Sequence, residues 1–173
     1  MPLLLLTGYM GSGKSTVGRE VARRLGWDFV DLDAAVIAEA GQDIPSIFSS
    51  EGEAGFRGRE FAVLGKIIER AAFQDGLVVA LGGGTLTNPA SARLIDDRAT
   101  VVYLDVDAAR AWKRVRNSDR PLAQDREEFE RRLVQRRPHY EQAAHLVVAA
   151  GEDSVKTLAE RIADFVRPER GVE

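Results

Sequence analysis

The 173-residue chain contains no cysteine, which excludes a disulfide framework and any metal site built on thiolates. A chain without disulfides suits a reducing compartment, so we predict a cytoplasmic location. Basic residues are not in excess either, since the formal net charge is −3. Nucleic-acid-binding proteins usually carry a basic surplus, and we therefore expect no nucleic-acid partner.

Long hydrophobic runs are also missing. The N-terminal run at residues 3–6 is short and has no basic leader, unlike a signal peptide. No stretch approaches the ~20 apolar residues that cross a bilayer, so we expect no membrane association. With 45% hydrophobic residues, the chain can bury one sizeable core, and we predict a single domain over residues 1–173. We also expect a monomer.

The most informative segment is residues 8–16, Gly-Tyr-Met-Gly-Ser-Gly-Lys-Ser-Thr, directly after that apolar run. Its spacing matches G-x-x-x-x-G-K-[ST], the phosphate-binding loop or P-loop. Backbone amides of such a loop and the following helix N-terminus converge on the phosphates of a nucleotide. Lys14 would bring a cation to these phosphates, and the Ser15 hydroxyl would ligate Mg²⁺. We expect a nucleoside triphosphate to contact Gly11, Ser12, Gly13, Lys14, Ser15 and Thr16.

Apolar runs alternate with helical patterns along the chain. Strands are predicted at residues 3–6, 29–30, 77–81, 100–104 and 146–148, and helices at 15–25, 89–97, 108–115 and 154–166. Most of the runs lack polar alternation, as expected for strands that are covered on both faces. The pattern predicts an α/β fold, a three-layer α/β/α sandwich around a five-stranded parallel sheet, with ligands beyond the carboxyl ends of the strands.

Two regions interrupt this alternation. Residues 33–73 are too long for one crossover helix, and we interpret them as a helical insertion whose substrate-binding part is 33–61. Residues 116–124 are polar and interrupted by a proline, which is typical of a mobile lid that closes over phosphates. We place the whole lid at 112–124, the alternative for its polar stretch being an ordinary surface loop.

Two carboxylates, Asp31 and Asp33, follow the second predicted strand. Residues two apart in extended backbone project to the same side, so both could face one site. One would join the Mg²⁺ shell and the other would accept a hydroxyl proton, which is the division of labour that phosphoryl transfer needs. The alternatives are that Asp33 caps the next helix and that Asp105, after the fourth strand, is the metal residue.

Three consecutive glycines, Gly82, Gly83 and Gly84, follow the third predicted strand. Residues without Cβ let the backbone approach a ligand and expose its N–H groups. The alternative is a tight turn into the helix that begins near Pro89.

These motifs occur in one order together with Gly52-Glu53, Phe56-Arg57, Glu60, Arg120-Pro121-Leu122, and Arg136 before Tyr140. In this combination the chain closely resembles the shikimate kinase family over nearly its whole length. The P-loop is shared by many kinases, whereas the other motifs together are far more specific. The resemblance implies a P-loop kinase fold and Mg²⁺-dependent transfer of the ATP γ-phosphate to the 3-hydroxyl of shikimate, in the route to chorismate and the aromatic amino acids.

The resemblance also implies a substrate-binding set, made up of Asp33, Phe48, Phe56, Arg57, Gly82, Gly83, Gly84 and Arg136. Arg57 and Arg136 would bind the shikimate carboxylate, a task suited to guanidinium forks. Asp33 would hold the reacting hydroxyl and act as the base. The two phenylalanines would form an apolar wall beside the substrate.

The remaining implied roles concern the nucleotide and its metal. Asp31 would reach Mg²⁺ through the water shell of the ion. Arg120 would close with the lid and stabilise the transferring phosphoryl group, so that Lys14, Asp33 and Arg120 form the catalytic set. Lys113 or Arg114 would lie against the adenine, and the spacing leaves that choice open.

Two other functions compete with this interpretation. Another small-molecule kinase of the same fold, acting on gluconate or a nucleoside, would need substrate residues other than Asp33, Arg57 and Arg136. A non-catalytic nucleotide-binding module could lose the base and the lid arginine, for which this sequence keeps candidates. Within the resemblance, Arg137 could exchange roles with Arg136, which we favour because it keeps the family's distance to Tyr140.

Overall fold

The computed structural model describes residues 2–95, 98–118 and 125–167. Its five strands are β1 (Leu3–Thr7), β2 (Asp28–Asp31), β3 (Leu77–Ala80), β4 (Thr100–Asp105) and β5 (Leu146–Ala149). They form one parallel sheet in the order β2-β3-β1-β4-β5. All five correspond to the predicted strands, with each boundary within one residue of the prediction.

The helices are α1 (Lys14–Leu25), α2 (Leu32–Ala40), α3 (Ile44–Ala71), α4 (Pro89–Ile95), α5 (Ala108–Val115), α6 (Arg126–Ala143) and α7 (Val155–Val166). Helix α1 packs against α7 and against β1, β2 and β3, while α6 packs against β4. Every residue of β1 and β3 is buried, which explains their continuous apolar runs. The predicted α/β sandwich around a five-stranded parallel sheet is confirmed.

Side-chain caps set several helix starts. The carboxylate of Asp107 accepts a hydrogen bond from the Arg110 amide at 2.8 Å, so α5 begins where the sequence predicts. Ser154 caps α7 in the same way. Helix α1 begins at Lys14, one residue earlier than predicted. The predicted end of α4, at residues 96–97, lies outside the described residues.

Two helices occupy the stretch 33–73, where a helical insertion was expected. Helix α2 ends at Gly41, and the Asp43 side chain caps α3. Helix α3 is kinked at Gly52, whose φ of 70° is not helical, and it packs against α2. Among the described residues, no helix is both long and apolar enough to cross a membrane.

The strand register brings three of the sequence motifs to one edge of the sheet. Asp31 at the end of β2 lies opposite Ala80 at the end of β3, and Ala80 is also opposite Leu6 of β1. The P-loop, the two carboxylates and the three glycines follow these strand ends directly. They therefore meet at the carboxyl edge of the sheet, where ligands of parallel α/β folds bind.

Candidate active site

The P-loop adopts a conformation that requires glycine. Gly8, Gly11 and Gly13 have φ values of 142°, 84° and 92°, in the region that favours residues without Cβ. Gly13 is also the N-cap of α1 and offers no side chain to the first-turn amides, which leaves them available to an anion. The buried Lys14 ammonium donates to the carbonyls of Gly8 at 2.8 Å and Tyr9 at 3.0 Å. The ammonium therefore lies against the loop itself.

The two residues predicted to serve the metal are in contact. The Ser15 hydroxyl donates to Oδ2 of Asp31, and Oδ1 of Asp31 accepts from the Ala34 amide at 3.2 Å. Asp31 is therefore the N-cap of α2, so the alternative in which Asp33 caps this helix is wrong. The expectation that Asp33 lies on extended backbone is wrong as well, because α2 already begins at Leu32.

All of the predicted substrate-binding residues nevertheless line one cavity of about 470 Å³. Asp31 is also in its lining, with Asp33, Phe48, Phe56, Arg57, Gly82, Gly83, Gly84 and Arg136. The rings of Phe48 and Phe56 lie 5.1 Å apart between centroids, so together they form the apolar wall that was expected.

Functional side chains lie where a Cβ atom would stand at Gly82 and at Gly84. A Cβ atom at Gly82 would overlap a Glu60 oxygen and lie 3.0 Å from Oδ1 of Asp33. A Cβ atom at Gly84 would overlap the guanidinium of Arg57. Within the described chain, none of the three glycine amides donates to a backbone carbonyl. The segment thus combines both predictions: its backbone lines the cavity, and it turns into a 3-10 helix at Thr85–Thr87.

Arg57 is held by carboxylates of its own helix. It contacts Glu60 at 2.8 Å and Glu53 at 3.3 Å, and the Thr85 hydroxyl donates to Glu60 at 2.6 Å. Burial raises the pKa of the Glu60 carboxyl, an effect that the Arg57 charge and the Thr85 hydrogen bond reduce and the Asp33 charge reinforces. Burial lowers the pKa of Arg57, but the two ion pairs outweigh it and raise that pKa above its usual range.

The sequence reasoning gave no role to Glu60 or Thr85. The spacing of three residues between Arg57 and Glu60 in a helix was the available signal, because residues three apart are neighbours on a helix surface. The contact of Glu60 with Thr85 joins residues 25 positions apart and had no local signal.

The positive charge of Arg136 has fewer and more distant carboxylate partners than the charge of Arg57. It is 7% exposed, its ion pair with Glu53 is long at 3.8 Å, and it donates to the Gly83 carbonyl at 3.3 Å. Burial lowers the pKa of Arg136; the charge of Arg57 lowers it further, while Tyr140 acts in the opposite direction. The Arg136 guanidinium therefore lies in the cavity wall beside Gly83 with only a long ion pair to balance its charge.

The neighbouring Arg137 has a different partner. It pairs with Asp105 at 3.2 Å, and Asp105 also accepts from the Tyr103 hydroxyl at 2.8 Å. Of the two arginines, only Arg136 lines the cavity. Asp105 is thus engaged at the end of β4, and the carboxylate that contacts the Ser15 hydroxyl is Asp31.

Comparison with known proteins decides the family. Residues 10–167 match the family model described as shikimate kinase. The chain belongs to the shikimate kinase family. The predicted function and enzyme class, a kinase that phosphorylates an alcohol group of shikimate with ATP, are confirmed by this match and by the relatives below.

Curated shikimate kinases match nearly the whole chain. The protein from Halorhodospira halophila is 43% identical over 168 residues, covering 95% of this chain and 93% of its own. The protein from Aromatoleum aromaticum is 42% identical over 153 residues, covering 86% and 85%.

Solved structures agree with this family. Shikimate kinase from Acinetobacter baumannii in complex with shikimate superposes with a TM-score of 0.88 at 37% identity, covering 96% of this chain and 93% of that one. Deoxyadenosine kinase from M. mycoides, at 16% identity and a TM-score of 0.63, covers 95% and 98% and shares the fold alone.

The structure places the three basic residues that were predicted to contact ATP outside the P-loop, Lys113, Arg114 and Arg120, differently. Arg114 of α5 donates to the Gly11 carbonyl at 2.8 Å, which places it beside the P-loop. Lys113 lies on the same helix, and in the described part of the chain it is not brought to the loop by any hydrogen bond. Arg120 and the lid residues 119–124 lie outside the described residues.

Proposed function

We propose that this shikimate kinase transfers the γ-phosphoryl group of MgATP to the 3-hydroxyl of shikimate, giving shikimate 3-phosphate and ADP. The observation that carries this proposal is the buried, under-compensated Arg136 in the same cavity as the Asp33 carboxylate. A small acceptor with a carboxylate at one end and a hydroxyl at the other suits such a cavity.

The acceptor carboxylate would be bound by Arg57 and Arg136. A buried cation without a close counter-charge is costly, and a ligand carboxylate near Arg136 removes that cost. Guanidinium groups bind carboxylates through two parallel hydrogen bonds, which also orients the ligand. The amides of Gly82, Gly83 and Gly84, which line the same cavity, would supply further donors.

Asp33 would act on the reacting hydroxyl. Its side chain lines the cavity, and its Oδ1 lies 3.0 Å from the position that a Cβ atom at Gly82 would take. We assign it the hydrogen bond from the 3-hydroxyl of the acceptor. As that oxygen forms its bond to the γ-phosphorus, the bond from phosphorus to the ADP oxygen breaks, and Asp33 takes the hydroxyl proton.

The P-loop would hold the β- and γ-phosphates. Its glycine conformations and the uncapped start of α1 provide amide donors, and Lys14 provides a charge. In the present structure the Lys14 ammonium donates to two loop carbonyls. We propose that it exchanges these for phosphate oxygens when the nucleotide binds, a stronger interaction because both partners are charged.

The pair of Ser15 and Asp31 fits Mg²⁺. Both offer hard oxygen atoms and they already touch each other. Mg²⁺ commonly takes one or two protein ligands and completes its shell with waters and phosphates. In keeping with this coordination, the described residues contain no group of three or more acidic, histidine or cysteine side chains placed to hold a metal. When bound, the ion supplies positive charge to the phosphate oxygens.

The remaining parts of the proposal concern the domain bounds, the lid and the adenine contact. We keep one kinase domain over residues 1–173, with acceptor binding at 33–61 and a lid at 112–124 that carries Arg120 to the phosphoryl group. Arg114 is the better candidate for the adenine side, supported by its contact with the loop. A cytoplasmic, monomeric enzyme without nucleic-acid partners stays a prediction.

A coupled ADP-release assay tests the proposal directly. Shikimate, gluconate and nucleoside monophosphates are compared side by side with ATP and Mg²⁺. We expect ADP release that depends on shikimate alone. Turnover with gluconate or a nucleotide at a similar rate would favour the competing small-molecule kinases, and no acceptor-dependent release would favour the non-catalytic binding module.

A further inference from the structure

The glycine segment is fixed from one side by two donors of α6. The hydroxyl of Tyr140 donates to the Gly83 carbonyl, and Arg136 donates to the same oxygen at 3.3 Å. The two side chains are four residues apart and so lie on one face of the helix. Tyr140 is fully buried and is not in the cavity lining, so it cannot touch an acceptor.

Because the peptide bond is planar, the contact to the Gly83 carbonyl also orients the Gly84 amide. In a trans peptide the carbonyl of Gly83 and the amide of Gly84 point in opposite directions. All peptide bonds in the described chain are trans, so holding the carbonyl toward α6 also fixes the direction of the Gly84 amide. The carbonyls on either side, of Gly82 and Gly84, accept from the Thr85 and Thr87 amides in turns, so the contacts to α6 complete the hydrogen bonds that fix this peptide unit.

We propose that Tyr140 is a positioning residue for the acceptor site. Its hydroxyl holds the peptide between Gly83 and Gly84 so that the amide faces the cavity, where Arg57 lies against Gly84. By sharing the Gly83 carbonyl, Tyr140 also leaves the Arg136 guanidinium available to the acceptor carboxylate. This inference rests on the proposed function, because it assigns a role in binding that same carboxylate.

Tyr140 can fill this role over a wide pH range. Burial raises the pKa of its hydroxyl above the usual tyrosine range, although the Arg136 charge lowers it somewhat. The hydroxyl therefore remains protonated, and a donor, through neutral and mildly alkaline pH. The effect of removing it should be the same at both ends of that range.

A neighbouring tyrosine provides a matched control. The ring of Tyr103 lies 5.2 Å from that of Tyr140 and Tyr103 is also buried, but its hydroxyl donates to Asp105. Tyr103→Phe thus removes a buried hydroxyl from the same pair of rings without touching the glycine segment. Each variant and the wild type are assayed for the KM of shikimate, the KM of ATP and the melting temperature, and shikimate binding is measured by calorimetry.

We expect Tyr140→Phe to raise the KM and the Kd of shikimate about fivefold to tenfold, the effect of one net hydrogen bond. The KM of ATP should stay within about twofold, and Tyr103→Phe should leave the shikimate constants unchanged. Equal shikimate constants in Tyr140→Phe and wild type would overturn the inference. So would equal losses in both variants, or a Tyr140→Phe protein that no longer folds, since either would make the hydroxyl structural.

The assay separates this inference from the proposed function. Wild-type turnover of shikimate with no effect of Tyr140→Phe removes only the role of Tyr140. A wild-type protein that does not use shikimate removes both.

Discussion

The guanidinium of Arg57 fills the space that a side chain at Gly84 would need, because a Cβ atom built at Gly84 overlaps it. Arg57 is kept there by Glu60 at 2.8 Å and Glu53 at 3.3 Å. The absence of a side chain at position 84 is therefore part of the proposed acceptor site, since it allows a charged group to lie directly on the backbone.

Gly84→Ala should displace Arg57 and weaken acceptor binding. We expect the KM of shikimate to rise by about tenfold or more, as for the loss of a charged hydrogen bond, with little change in the KM of ATP. Steady-state kinetics with each substrate varied in turn measures this.

Gly58→Ala is the matched control, because Gly58 is next to Arg57 on α3 and no atom lies near its Cβ position. It should leave both KM values unchanged and stabilise the protein by about 1 kcal/mol through helix propensity. An unaltered shikimate KM in Gly84→Ala would contradict this prediction, because it would show that Arg57 can move without weakening acceptor binding.

The two consecutive arginines should behave differently. Arg136→Lys removes the planar fork from the cavity, and we expect the KM of shikimate to rise about tenfold to a hundredfold. Arg137→Lys changes a half-exposed side chain paired with Asp105, so its effect should be within about twofold. Titrating both variants with shikimate in parallel shows which arginine binds the carboxylate. A larger effect at Arg137 would contradict the assignment of that role to Arg136.

Asp33→Asn should separate nucleotide binding from turnover. The amide keeps the shape of the side chain but cannot take the hydroxyl proton, and we expect kcat to fall by about 10²- to 10⁴-fold. ATP binding, measured by calorimetry, should be largely intact. Asp107→Asn serves as the control, because Asp107 does not line the acceptor cavity and asparagine is an equally good cap for α5. Normal turnover in Asp33→Asn would exclude Asp33 as the base.

The buried Glu60 should give a pH-dependent contribution to stability. Its pKa is raised in the folded protein above the ordinary 4.5, so the folded state binds the proton more tightly than the unfolded chain. The contribution of this group to the free energy of unfolding is therefore greatest at low pH, and it declines as the pH rises from about 4.5 through the folded pKa.

Glu60→Gln removes this titration while keeping an acceptor for the Thr85 hydroxyl. Urea unfolding at several values between about pH 4.5 and pH 8 should show wild type losing stability relative to Glu60→Gln as the pH rises. Glu20→Gln is the comparison, because arginines lower the pKa of Glu20 to about 2 and its titration is complete below this range. A wild type that gains stability relative to Glu60→Gln as the pH rises would contradict the raised pKa.

Features of the fold that depend on local sequence were predictable. Strands covered on both faces give continuous apolar runs, and the Asp107 cap marks the start of α5. The placement of Asp33 was wrong because the same residues, Asp-Leu-Asp, can end a strand or start a helix. The hydrogen bond from the Ala34 amide to Asp31 settles that choice in favour of the helix.

Features of the site that depend on distant contacts were not predictable. Arg136 and Arg137 are adjacent on a helix and point about 100° apart, so only their surroundings distinguish them. Asp105, more than thirty positions away, is the partner that takes Arg137 away from the cavity. The contact between Tyr140 and Gly83 likewise spans 57 positions, and the sequence pattern gave Tyr140 no role of its own.

The most direct test of the account is the identity of the phosphorylated product. The wild-type protein is incubated with ATP, Mg²⁺ and shikimate, and the mixture is followed by phosphorus NMR. We predict one new phosphomonoester signal, coupled to the proton on C3 of the acceptor ring, that grows in step with ADP. ADP that forms without this ester, or an ester on another hydroxyl, would contradict the proposed placement of the acceptor between the arginines and Asp33.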